Sequence, residues 1–130
     1  MKLSSFLAIV GAIGLLFGIF FLAVPEVALR QYGVPTEPHN LMQARYFGVA
    51  LLQVGLIVWL ARGTQDSLAV RALLLGLAVG NAFGAVLSAW AGMAGLQNAM
   101  VWGSVLLYAV IVAGCLYFLI GRPTVASRVA

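Results

Sequence analysis

Long apolar stretches alternate with short polar segments along the chain, and this pattern predicts four helices that cross a membrane. Lys, Arg, Asp and Glu are absent from positions 3–25, 46–61 and 72–121. A hydrocarbon core of about 30 Å takes around 20 helical residues to cross. The first stretch therefore holds one span, and the second must extend back past Arg45 to reach full length. The third holds two spans, because a glycine-rich turn at 92–98 divides it.

We predict spans at about residues 3–24, 41–60, 70–91 and 99–120. Helices are expected because every backbone polar group in hydrocarbon must be satisfied within its own segment. The chain lacks the alternating polarity that is typical of transmembrane β-barrels. The predicted fold class is all-α, an integral membrane bundle of four transmembrane helices forming a single domain over 1–130.

Composition favours the same class of protein. The chain is 64% hydrophobic and 8% charged, whereas soluble domains carry roughly 45–50% apolar and about 25% charged residues. So few polar residues leave too little surface to cover a water-facing domain. We therefore expect the protein to be embedded in the lipid bilayer, which is its predicted partner.

Basic residues are distributed unevenly between the two predicted sides of the bundle. One side, counted with the adjacent helix ends, holds Lys2, Arg62, Arg71, Arg122 and Arg128. The other holds Arg30 and Arg45, which Glu26 and Glu37 offset. Basic residues favour the cytoplasmic side of membrane proteins, so this asymmetry predicts both termini in the cytoplasm. The net charge of +4 is then a topology signal, and we expect no nucleic-acid partner.

Small residues recur on faces of the predicted spans. Helices in lipid associate by close backbone approach, which small side chains permit. In the third span they recur at a spacing of four: Gly76, Gly80, Gly84, Ser88 and Gly92. In the first span, Gly11, Gly14 and Gly18 share one face. These faces predict helix packing, although glycine is also frequent in membrane helices for other reasons.

One polar side chain lies near the middle of each of three spans. These residues are Gln53, Asn81 and Tyr108, and their similar depth predicts a shared polar layer inside the bundle. One interpretation is interhelical hydrogen bonding, worth about 0.6 kcal/mol per bond in membranes. The other is a polar pore or substrate site.

The segment between the first two spans has signals for ordered structure. Proline favours the start of a helix and glycine its end, so Pro25 and Gly33 predict a short helix over about 25–32 along the membrane interface. Asn40, followed three residues later by Gln43, predicts a capping box that opens the second span.

This segment also collects every charged residue of its side together with the only histidine, namely Glu26, Arg30, Glu37, His39 and Arg45. If Arg45 lies inside the membrane boundary it needs a partner, because an isolated charge in lipid is costly. One interpretation is a salt bridge to Glu26 or Glu37 that fixes the loop to the bundle. The other is an outward-facing pocket for a small anionic or lipid head group, with Arg45 as its anchor.

The sequence lacks the residues that several kinds of chemistry require. Cys115 is the only cysteine and His39 the only histidine, so neither an internal disulfide nor paired haem ligands are expected. No His, Cys, Asp and Glu cluster has metal-binding spacing, so we expect no metal and no cofactor, and no catalytic constellation is identified. Proton-coupled transport generally needs an ionisable group within the membrane, and Arg45 is the only candidate.

Three stretches carry a family resemblance: the glycine-rich first span that ends at Pro25, the Tyr32-Gly33-Val34 step, and Arg45-Tyr46-Phe47-Gly48. In these the chain resembles small four-helix inner-membrane proteins of bacteria whose function is not known. The resemblance implies a multi-pass protein of the bacterial inner membrane. It implies no reaction and no substrate.

Three hypotheses about function follow. The first is a non-enzymatic accessory or scaffold protein that assembles with itself or with another membrane protein through its small-residue faces. The second is a protein that binds or transports a small amphiphile or anionic head group through an outer pocket around Arg45. The third is an enzyme acting on lipid, with Glu26, Glu37 or His39 as its acid–base group.

Overall fold

A computed structural model describes residues 1–121, and this part of the chain contains helices and no strand. The helices are α1 (Leu3–Ala23), α2 (Pro25–Gln31), α3 (Pro38–Ala61), α4 (Ser67–Met93) and α5 (Val101–Ile120). All but α2 are long and apolar enough to cross a membrane. The all-α prediction and the four apolar helices are confirmed. Arg122 and Arg128, which entered the topology prediction, lie outside the described residues.

Helices α3 and α4 begin a few residues before their predicted starts. Helix α3 begins at Pro38, earlier than expected, because proline suits the first helical position. The predicted capping box is wrong, since Asn40 lies inside the first turn and its Nδ2 donates to the Pro35 carbonyl at 2.9 Å. Helix α4 begins at Ser67 because the Asp66 carboxylate accepts the backbone N–H groups of the first turn.

Helices α1 and α3 form an antiparallel pair whose backbones nearly touch. A Cβ on Gly14 would lie 2.8 Å from the Gly55 Cα, and one on Gly55 would lie 2.6 Å from the Leu15 nitrogen. Gly48 would meet the Leu22 nitrogen at 2.7 Å. Gly11 and Gly18 make similarly close approaches to α3. Any side chain at these positions would separate the two helices, so glycine is what permits the pair.

Helices α4 and α5 form a second antiparallel pair that packs through side chains. The Tyr108 ring lies against Gly84, with ring atoms 3.0–3.1 Å from where a Cβ would stand. Nearer the α4–α5 turn, Gly92 accommodates the side chains of Val101 and Trp102.

The two pairs join at one end, which we call the closed end. It includes the start of α1 and the end of α5, where the Phe6 and Phe118 rings pack 5.3 Å apart. A cluster of buried side chains from all four long helices fills it: Phe6, Leu7, Val10, Val58, Val70, Leu74, Leu77, Ala78, Ile111 and Cys115. Five of these are fully buried, so apolar packing holds the pairs together here.

At the other end, the loop end, the two pairs separate. The buried cluster there consists of Phe21, Ala28, Leu29 and Ala44, which belong to α1, α2 and α3 alone. Helices α4 and α5 contribute no member to it. The loop end is therefore joined by a few polar contacts and leaves space between the pairs.

Candidate functional site

The space between the two helix pairs at the loop end is a cavity of about 420 Å³. Its walls come from α1 and α3 on one side and from α4 and α5 on the other, with α2 and its following turn at the end. Aromatic and aliphatic side chains make up most of the wall, including Ile13, Phe17, Phe21, Phe47, Leu51 and Leu107. The closed-end cluster blocks it in the other direction.

Polar side chains line the same cavity, and within residues 1–121 none of them belongs to Asp, Glu, Lys, Arg or His. They are Tyr32, Asn40, Gln43, Ser88, Gln97, Ser104 and Tyr108. Hydroxyl and amide groups donate and accept hydrogen bonds without carrying charge at neutral pH. A mostly apolar wall with a few such groups is typical of small-molecule sites.

Tyr32 connects the two helix pairs across the cavity's end. Its hydroxyl shares a hydrogen bond of 2.8 Å with the Ser104 Oγ. Its carbonyl accepts the Asn98 backbone N–H at 2.9 Å, and the Asn98 Nδ2 donates to the Gln31 carbonyl at 2.9 Å. We call these three hydrogen bonds the latch.

Two glycine turns position the latch. Gly33 follows the end of α2 with φ 69°, and Gly95 follows the end of α4 with φ 70°, in a region that glycine adopts without a steric penalty. The Val34 N–H donates to the Leu29 carbonyl, and the Leu96 N–H donates to the Ala91 carbonyl, both at 3.0 Å. This pattern is the Schellman end of a helix. It turns the chain so that Tyr32 and Asn98 meet.

The predicted polar layer is not brought together. Gln53 is exposed on the bundle surface, and the Asn81 Nδ2 donates to the Leu77 carbonyl of its own helix at 2.7 Å. Of the three residues, only Tyr108 lines the cavity. Within residues 1–121 no hydrogen bond joins any two of them.

The predicted charged cluster lies outside the cavity. Glu26, Arg30, Glu37, His39 and Arg45 are all exposed, and none lines the cavity. Glu26 pairs with Arg30 of its own helix at 4.0 Å, a solvent-exposed pair of little energetic weight.

The expected salt bridge from Arg45 to Glu26 or Glu37 is wrong for the part of the chain that the structure describes. Because α3 is helical from Pro38, Glu37 precedes Arg45 by two helical turns, about 12 Å along the axis. Glu26 lies one turn from Arg30, which is the cation nearest to it.

The predicted packing residues divide into two groups. Gly11, Gly14 and Gly18 face α3, as described above. In the α4 series, Gly84 contacts Tyr108 and Ser88 lines the cavity. Gly76 and Gly80 face outward, and a Cβ on either would meet nothing within 4 Å.

Sequence reasoning missed most of the cavity's polar residues. The sequence predicts helix packing for Ser88 and a capping box for Gln43, and it predicts no site for Ser104, Gln97 or Tyr32. A usable signal was present, because Ser104 and Tyr108 lie one turn apart on one face of α5.

The described part of the chain, residues 1–121, contains no group of three His, Cys, Asp or Glu that could hold a metal ion. Cys115 is buried in the closed-end cluster, away from the cavity. Comparisons with protein-family models, with curated proteins and with solved structures give no match to this chain.

Proposed function

We propose that this membrane protein binds a small amphiphile in the cavity between its two helix pairs. The observation that supports this most is the cavity itself: about 420 Å³, mostly apolar, with a few converging hydroxyl and amide groups. Ligand sites typically have about 300–1,000 Å³ and the same mixture of wall chemistry. An apolar tail suits the phenylalanine wall, and a polar group suits the hydroxyls and amides.

The position of the cavity favours entry from the bilayer. It lies between helices that are apolar enough to span a membrane. Phe17 and Phe47 on its wall remain 38% and 41% exposed, so the site is only partly enclosed by protein. An amphiphile dissolved in the membrane can therefore reach it sideways, without crossing the latch.

Binding is better supported than transport through the bundle. Leu7, Val58 and Leu74 at the closed end have no exposed surface, and a transport path along the bundle axis would have to pass between them. Acid–base catalysis in the cavity is less well supported, because the wall formed by residues 1–121 includes no Asp, Glu, Lys, Arg or His.

The uneven distribution of basic residues between the two ends of the bundle supports a location of the cavity within the membrane. If the side with Lys2, Arg62 and Arg71 faces the cytoplasm, the loop end and its cavity lie in the outer half of the membrane. The resemblance to bacterial inner-membrane proteins supports a multi-pass protein of that membrane.

The experiment compares two matched substitutions on the second helix pair. Ser88→Phe adds a ring inside the cavity, while Ala109→Phe adds the same ring on the exposed face of α5. Each protein is purified from native membranes in a mild detergent, and bound lipids are extracted and quantified by mass spectrometry. We expect wild type and Ala109→Phe to retain one small amphiphile, and Ser88→Phe to retain at least tenfold less. Equal retention in all three proteins would overturn the proposal.

A second candidate function, assembly with a further membrane helix, is favoured by the outward face of α4. Gly76 and Gly80 are exposed and have open space around them, so neither is needed for packing inside the chain. Such small residues one turn apart let another helix approach closely. A second copy of this chain or another membrane protein would then cover them.

Crosslinking in native membranes tests this assembly. The double variant Gly76→Ile and Gly80→Ile blocks the face, and Gly103→Ile is the control because it also points into open space. We expect wild type and Gly103→Ile to give a crosslinked oligomer or complex that the double variant loses. The same crosslinked pattern in all three proteins, or monomer alone in wild type, would contradict it.

A further inference from the structure

We infer that the ligand of this cavity is an uncharged amphiphile whose polar part is a ring bearing oxygen atoms on opposite edges. Quinones, quinols and para-alkoxyphenols belong to this class. The inference rests on the proposed function, and it narrows the ligand by charge, by shape and by the placement of hydrogen bonds.

Charge is the first restriction. The cavity wall formed by residues 1–121 includes no Asp, Glu, Lys, Arg or His, and therefore no side chain that ionises near neutral pH. The nearby Arg45 and the imidazole of His39 are exposed and lie off the wall. A carboxylate, phosphate or ammonium group in the cavity would be desolvated without a counter-charge, and such burial is costly. An uncharged polar group avoids that cost.

Shape is the second restriction. Phe21 stands edge-on to Phe47, with ring centroids 5.0 Å apart, and lies 6.4 Å from the Tyr32 ring. Phe17 adds another ring to the same wall. Aromatic rings associate through offset and edge-to-face contacts that add to simple burial. This wall therefore favours a flat ring over a branched or bulky polar head group.

Hydrogen bonding is the third restriction. Within residues 1–121 the Tyr108 hydroxyl and the side-chain amides of Gln43 and Gln97 make no hydrogen bond to protein, yet all three line the cavity. Gln43 stands on the α3 wall and Tyr108 on the facing α4–α5 side. A ring held between them can use both groups only if it carries hydrogen-bonding atoms on opposite edges, and the two oxygen atoms of a quinone or quinol are placed in this way.

Gly84 sets the position of the Tyr108 hydroxyl. The tyrosine ring lies across the bare backbone of Gly84 at 3.0–3.1 Å from the Cβ position. Because the ring is supported there, its hydroxyl stays on the cavity wall. Tyr108→Phe keeps the ring and its packing while it removes the hydroxyl, so this variant isolates the hydrogen bond from the fold.

The test uses three probes with similar tails and different polar groups. They are a decyl-substituted benzoquinone, dodecanoate and dodecylamine, titrated into the protein in lipid nanodiscs and corrected for partition into protein-free nanodiscs. We expect the quinone to bind at least tenfold more tightly than either charged probe. Tyr108→Phe should weaken quinone binding about fivefold, the effect of one hydrogen bond, and Ser88→Phe should abolish it. Tyr117→Phe, on the exposed surface of α5, is the matched control and should leave it unchanged.

The outcomes separate the inference from the proposed function. If a charged probe binds as tightly as the quinone and Ser88→Phe abolishes that binding, amphiphile binding stands and the uncharged class is overturned. If Tyr108→Phe and Tyr117→Phe bind the quinone equally well, the placement of the ring is overturned. If no probe binds and Ser88→Phe retains the same lipid as wild type, both proposals fall.

Discussion

At the scale of single residues, identical glycines have different roles because of what stands opposite them. Gly55 lies against the backbone of α1, where a Cβ would be 2.6 Å from the Leu15 nitrogen. Gly76 lies in open space on α4. Sequence spacing predicted packing for the α4 glycines and for α1, but it does not tell which face another helix covers.

This difference predicts opposite effects of the same substitution. Gly55→Ala should lower the free energy of unfolding by about 2 kcal/mol, because a methyl group forced against a backbone separates α1 from α3. Gly76→Ala should be neutral or should raise it by about 0.5–1 kcal/mol, because alanine favours a helix interior. Unfolding by denaturing detergent, followed by circular dichroism, measures both. Equal losses of stability would show that the α1–α3 approach is not as close as described.

The polar layer predicted from Gln53, Asn81 and Tyr108 does not form because these side chains point in different directions. Equal depth along a helix does not fix direction around it, and each residue turns the helix by about 100°. Gln53 follows the cavity residue Leu51 by two positions and therefore points to the opposite side of α3. Asn81 bonds to its own helix instead.

At the scale of elements, apolar length and turn residues predicted most of the secondary structure. The four long helices and the short helix α2 begin and end within a few residues of their predicted positions. The pairing of α1 with α3 and of α4 with α5 was not predictable, because it depends on which helix faces meet. The cavity between the pairs could therefore not be predicted either. The resemblance to bacterial inner-membrane proteins stays a prediction.

The latch gives a prediction at this scale. Asn98→Ala removes the Nδ2 hydrogen bond to the Gln31 carbonyl and the Oδ1 that accepts the Met100 N–H at 3.0 Å. We expect the free energy of unfolding to fall by about 1–2 kcal/mol, and amide hydrogen exchange at the turns after α2 and α4 to become faster. Gln65→Ala, exposed between α3 and α4, is the control and should leave exchange at those turns unchanged. Unaltered exchange in Asn98→Ala would mean that the latch does not join the pairs.

At the scale of the whole molecule, the bundle consists of two helix pairs that pack tightly against each other at one end and loosely at the other. One end is filled by apolar side chains from all four long helices, while the other is closed by three hydrogen bonds over a cavity. The charged residues around Arg45, which the sequence made prominent, stand outside that cavity. A ligand in the cavity would contact both pairs and strengthen the weaker end.

The central claim is that a small uncharged amphiphile occupies this cavity, and photolabelling tests it most directly. A decyl-substituted benzoquinone with a photoreactive diazirine in its tail is irradiated with the protein in nanodiscs, and labelled peptides are mapped by mass spectrometry. We predict labels on cavity residues of both pairs, such as Phe17, Leu51 and Leu107, and competition by the unlabelled quinone. Labels spread over outward-facing residues such as Leu56 and Val110, without competition, would contradict the claim.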